Sequence, residues 1–271
     1  MAKQKLKMIV FYTRAFLPLH ICALAMAMAG IRALASPQFN MPGTTLGSLV
    51  AETLGGHEWN MFINIDAVTD WLLALLPPLT GLIVYMRSVM GKTLMFSLYR
   101  HGSKAKWMTS LQASMLLYTL LLTVLMGLAI TFTGFFTGMR GLHVFGLDQS
   151  GFYNRIWWPP LFSMFTYAMQ SFMLLEIYLF FYLLSGEVSI GLIAFVLPVI
   201  FAMLRGSNDE LSGSIEWFIN WGMSKRYSFS SGEYGVPVKY GILRQVLVNL
   251  GLLGLTHTLI PYLPLTERKE P

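Results

Sequence analysis

The sequence predicts an all-α integral membrane protein, and three observations carry that reading. Charged residues make up 12% of the 271-residue chain and hydrophobic ones 55%, against about 25% charged in an ordinary soluble domain. Six stretches nearly free of Asp, Glu, Lys and Arg approach the roughly 20 apolar residues a helix needs to cross a bilayer. The charges that remain gather in a few connections, where they set orientation. A net charge of +6 is therefore a matter of loops rather than of a nucleic-acid surface, and no nucleic-acid partner is expected. The single cysteine, Cys22, lies in an apolar run, which excludes disulfide frameworks and cysteine-rich metal sites.

The predicted spans cover about 10–34, 68–89, 107–134, 157–184, 188–204 and 243–264, each by the same length argument. Lys3, Lys5 and Lys7 precede the first. Ala33-Leu34-Ala35 before Ser36 resembles a signal-peptide cleavage site, but the apolar run exceeds a usual signal core and Arg32 crowds the site, so a retained span is expected. Ala2 to Arg14 reads alternatively as an interfacial helix. Between spans one and two, Thr44 or Thr45 caps a short helix ending at Gly55-Gly56. Pro77-Pro78 interrupts span two and Pro198 span five, so neighbours or a cavity must satisfy the freed carbonyls. Gly134-Phe135-Phe136-Thr137-Gly138 closes span three with small residues that permit close approach. Trp157-Trp158-Pro159-Pro160 opens span four as an aromatic anchor followed by helix-starting prolines. Ser185-Gly186-Glu187 then turns tightly into span five. Before span six, Ser207 or Asn208 caps a helix carrying Leu211, Ile215 and Phe218, with Trp217 and Trp221 beside them. The two outer helices either lie in the outer leaflet or pack against the ends of the spans. Nothing in the composition divides residues 1–271 into separate domains.

Ser36 to Asp66 holds no Lys or Arg, which places the N-terminus in the cytoplasm. With six spans, ten basic residues fall inside: Lys3, Lys5, Lys7, Arg87, Lys92, Arg100, Lys104, Lys106, Arg268 and Lys269. Seven fall outside: Arg140, Arg155, Arg205, Lys225, Arg226, Lys239 and Arg244. Both termini are therefore expected to be cytoplasmic.

Familiar catalytic patterns are missing. Gly91-Lys92-Thr93 ends like a phosphate-binding loop, but Met86 stands where that pattern needs its first glycine. His20, His57, His101, His143 and His257 are scattered without zinc-ligand spacing, and Gly213-Ser214 lacks the closing glycine of a nucleophile elbow. No catalytic residue and no metal site is expected. Glu176 is the acid inside a span. A charge at mid-membrane costs roughly 2.5–3.5 kcal/mol on insertion scales, which makes such residues functional candidates. It reads either as a protonated structural group bonded to Asn249, Gln245 or His257 of span six, or as a transport residue.

The connection after span two is the most informative segment. Around Leu94, Met95, Leu98 and Tyr99 the apolar residues share one helical face, basic residues ring it, and Gly102 ends it. This amphipathic helix, about 90–102, either lies among anionic headgroups or docks a soluble partner. Its continuation, Leu98-Tyr99-Arg100-His101-Gly102-Ser103-Lys104-Ala105-Lys106-Trp107, resembles the L-x-R-x-G-S-[RK]-x-[RK]-W element after the second span of bacterial ABC transporter permeases. Those are six-span subunits of the type-2 exporter class, found in bacteriocin, lantibiotic-immunity and related efflux systems. The likeness extends to span number and cytoplasmic termini.

The resemblance implies one transmembrane permease domain over 1–271, in the bacterial plasma membrane, pairing with a second copy or a related permease. A separate ATP-binding subunit would carry ATP and Mg, leaving this chain with no cofactor and no enzymatic activity. The amphipathic helix would be the coupling helix, with Leu94, Met95, Leu98 and Tyr99 entering the ATPase and Arg100, Lys104 and Lys106 steering it. Membrane lipid is the remaining partner. Glu176, Asn249 and His257 form the intramembrane polar set. Substrates of peptide, drug or lipid type all suit an apolar cavity. Two alternatives stand beside this reading: an integral-membrane protease or lipid-modifying enzyme built on Glu176, His257 and Asn249, and a non-transporting sensor or assembly protein.

Overall fold

The computed structural model describes residues 9, 10, 13, 15–36, 39, 41–56, 65–90, 101–142, 159–205, 223, 227–228 and 236–262. In chain order these form α1 (Leu19–Ala35), α2 (Leu46–Leu54), α3 (Ile65–Met90), α4 (Lys104–Phe136), α5 (Pro159–Ser185), α6 (Val188–Arg205) and α7 (Val238–Leu259). A parallel two-residue pairing of Tyr227–Ser228 with Val236–Pro237 precedes α7, and a 3-10 turn at Ile260–Tyr262 follows it. The fold is helical, as the composition requires.

Four segments are long and apolar enough to cross a membrane: Val68–Arg87, Lys104–Phe136, Pro160–Ser185 and Tyr240–Tyr262. They are consistent with a multi-pass membrane protein. Leu19–Ala35 and Val188–Phe201 are apolar but shorter, so four of the six expected spans reach the length among the described residues. The first span begins later than expected because Leu17 and Pro18 interrupt the helix and α1 starts at Leu19. Proline has no N–H and pushes the residue before it out of the helical region. At 1.5 Å per residue α1 measures about 26 Å, short of the roughly 30 Å hydrocarbon core. By the same rise α4, about 50 Å long, exceeds that core and must tilt or project beyond it.

α4 and α5 form the centre. α4 packs against α1, α2 and α5, while α5 packs against α2, α4, α6 and α7. α3 lies between α1 and α6. Phe16 stacks between Tyr85 and Tyr118 at ring-centroid distances of 4.0 and 5.3 Å. Leu120, Leu121, Val124, Leu128 and Phe132 of α4 are exposed at spacings that trace a helix face. Water would penalise such a stripe, whereas hydrocarbon accepts it.

The short α2 is capped by Thr45, whose side chain accepts from the Ser48 N–H at 3.1 Å. Of the two positions expected for this helix, it takes the packed one. Leu46, Leu49, Val50 and Leu54 are buried among α4 and α5. Gly134 makes this possible, since a Cβ there would lie 2.8 Å from Leu46 Cδ2 and 3.1 Å from Leu49 Cδ2. The turn between α5 and α6 falls at Gly186, whose φ of +81° favours glycine. The helix around Leu211, Ile215, Phe218, Trp217 and Trp221 lies outside the described residues.

Candidate functional site

Ser103 sets the start of α4, its hydroxyl accepting from the Lys106 N–H at 3.2 Å. Nine residues on, about 13 Å along the axis, stands Gln112, the one amide side chain in α4. α5 supplies Glu176 at a similar distance from its own C-terminal end, about 13 Å before Ser185, so the two packed helices bring both side chains to one depth. Gln112 Nε2 donates to Glu176 Oε2 at 3.1 Å. Glu176 is fully buried, and its Oε1 has no hydrogen-bond partner. An orphaned acceptor buried this deeply is costly.

This partner differs from the one expected on span six. Asn249 Nδ2 donates to the Gln245 carbonyl of its own helix at 2.8 Å, and Gln245 Nε2 reaches the Thr166 carbonyl of α5 at 3.3 Å. Thr166 and Glu176 are ten residues apart, a rotation of about 80° on the helix surface. α5 therefore turns Thr166 toward α7 and Glu176 toward α4. Gln112 was legible as the lone amide in an apolar span, but acids drew the sequence reading first.

A cleft of about 500 Å³ opens between α4, α5 and α7, lined by Thr109, Gln112, Leu116, Phe172, Leu253 and His257 among others. Gln112 thus belongs to the cleft wall and to Glu176 at once. Of the expected intramembrane polar set, Glu176 is bonded to Gln112, His257 lines the same cleft as Gln112, and Asn249 turns to its own helix.

A second polar cluster went unseen in the sequence. Arg32, near the end of α1, donates from Nε and Nη2 to Asp70 Oδ1 and Oδ2 of α3, each at 2.7 Å. The arginine is buried and the aspartate about one-third exposed. Beside them Trp71 meets the Tyr167 ring edge-on at 5.9 Å. The Tyr167 hydroxyl donates to the Ala74 carbonyl, which has lost its helical partner because Pro78 carries no N–H. Tyr118 of α4 lies 2.9 Å from the Pro77 carbonyl and 3.2 Å from that of Pro78. Tyr167 thus supplies the donor that Pro78 removes, while Tyr118 adds a bond to carbonyls whose own i+4 residues, Gly81 and Leu82, keep their N–H groups.

Leu94, Met95, Leu98, Tyr99 and Arg100 lie outside the described residues. Lys104 and Lys106 open α4: Lys104 Nζ donates to the Pro261 carbonyl at 3.3 Å, and Lys106 is exposed. His101, two residues before the α4 cap, is buried, and that burial lowers its pKa below the usual histidine value. The folded chain therefore binds this proton less readily than the unfolded one. Stability is full above pH about 6.5 and falls as the pH drops below it. Heating the purified protein across that range should show the loss, and His101→Gln should flatten it; an unchanged slope in the variant would assign it to other groups.

Among the described residues, no three His, Cys, Asp or Glu side chains gather to hold a metal. No protein-family model, curated protein or solved structure matches this chain. What the fold and site define is a class: a helical protein whose long apolar helices fit repeated membrane crossing, with a buried Gln112–Glu176 pair between its two central helices.

Proposed function

We propose that this chain is the membrane-spanning permease subunit of an ATP-driven ABC transporter, an exporter of peptides, drugs or lipids. It is a six-span subunit of the bacterial plasma membrane with both termini in the cytoplasm, α1 and α6 serving as the two shorter spans. It works with a separate ATP-binding subunit that carries ATP and Mg, and with a second permease copy or a related one. The coupling helix spans about 90–102.

The observation that carries the reading is the resemblance at Leu98 to Trp107. Two features support it. Ser103 caps α4 inside that motif, so the basic residues stand at the mouth of the longest helix, where a docked partner's movement would be transmitted. The buried Gln112–Glu176 pair joins the two central helices and gives relative motion of α4 and α5 a polar contact to break. A second reading, a membrane enzyme, draws on Gln112 and His257 lining one cleft with Glu176 bonded behind Gln112.

Leu94→Asp with Leu98→Asp should abolish co-purification with the ATP-binding subunit while leaving membrane insertion intact, because two carboxylates cannot enter an apolar groove unpaired. Equal recovery of ATPase by the double variant would rule out the coupling assignment.

A further inference from the structure

The cleft beside Gln112 is left open by the chain's own packing. α7 is the least buried of the four long apolar helices, and a Cβ at Gly251 or Gly254 would meet nothing within 4 Å. From Thr109 to Leu116 the cleft runs about 10 Å along α4, and Leu116, Phe172 and Leu253 make its walls apolar. Between lipid-exposed helices, an apolar groove with empty walls loses dispersion contacts until something fills it.

The chemistry at one end of the cleft selects the occupant. Lys104 reaches the Pro261 carbonyl across that end, His257 lines it, and exposed Lys106 stands one turn before Thr109. The first turn of α4 holds no acid, and the positive end of its dipole adds to the basic rim. Glu176 lies buried behind Gln112. An apolar trough with a basic mouth complements a hydrocarbon tail carrying a negative head.

We propose that the cleft between α4 and α7 seats an acyl chain of an anionic phospholipid, with the headgroup phosphate at the Lys104–Lys106 end. The site rests on the membrane character of the helices and is independent of the permease reading, because binding needs neither an ATPase nor transport.

The test uses the full chain in mild detergent, offered phosphatidylglycerol and phosphatidylcholine of identical chains in equal amounts, with retained lipid read by native mass spectrometry. Wild type should keep phosphatidylglycerol selectively and should not bind inorganic phosphate alone. Gly254→Leu enters the cleft from a Cβ position that meets nothing within 4 Å and should cut retention about tenfold. Lys106→Gln should cut the preference for phosphatidylglycerol about fivefold while leaving phosphatidylcholine unchanged. Undiminished retention in Gly254→Leu, equal retention of the two lipids by wild type, or binding of free phosphate would each overturn the proposal. So would a lipid-free dimer dissociated by Gly254→Leu, which would make a second copy the occupant. Should Gly254→Leu fail to fold, phosphatidylglycerol with a photoreactive acyl chain decides on wild type: crosslinks within 109–116 or 253–258 support the site, and crosslinks confined to α1 or α3 overturn it.

Discussion

Gly81→Val should cost about 3 kcal/mol of stability, the upper part of the range for overpacking. A Cβ at position 81 would run into the Tyr118 hydroxyl, with Cζ 2.6 Å away and the Phe16 carbonyl at 3.0 Å. A free tyrosine would rotate aside, but this one is held at the Pro77 and Pro78 carbonyls and stacked on Phe16. Displacing it would also leave its own buried hydroxyl without an acceptor in a medium that offers no water in exchange. Gly81→Ala should be destabilising too, although alanine exceeds glycine in helix propensity by about 1 kcal/mol, because the clash outweighs that gain. The measurement is the fraction of protein surviving heating in detergent. Combining Gly81→Ala with Tyr118→Ala should remove most of the extra cost of the glycine change; if the two losses simply add, the two sites are not in contact.

How much of this was legible depends on the kind of signal. Helix ends were readable where a local rule dominates: Thr45 as a cap, Pro159 opening α5 and Gly186 turning the hairpin all fall where the residues dictate. Pro18 is a local signal too, and it lost to the hydropathy of the run around it, which is why α1 starts late. Long-range partners obey no such rule. Arg32 read as an obstacle to cleavage and Asp70 drew no reading inside its span, and only their packing reveals the bidentate pair. Glu176 was found because an acid in an apolar run stands out, but its partner depended on which way α5 is turned, which the sequence of α5 does not state.

That turn sets up the most discriminating experiment on the site. Gln112→Leu should destabilise by about 1–3 kcal/mol, because it leaves both carboxyl oxygens of Glu176 buried without a donor. Glu176→Gln should keep the fold, since an amide of the same shape still accepts from Gln112 Nε2 through its carbonyl. Gln112→Leu with Glu176→Leu should recover most of the loss, because removing both members leaves no orphaned group. The three results fix what the pair contributes to folding, and under the proposed permease function a transport assay then separates structure from function. A pair that only holds α4 to α5 predicts a double-leucine chain that still moves substrate. On the same proposal, a pair that breaks and reforms as the helices shift predicts a stable chain, normally inserted, that binds the proposed ATP-binding subunit and transports nothing. Recovery of both stability and transport in the double variant would remove Glu176 from the proposed transport mechanism.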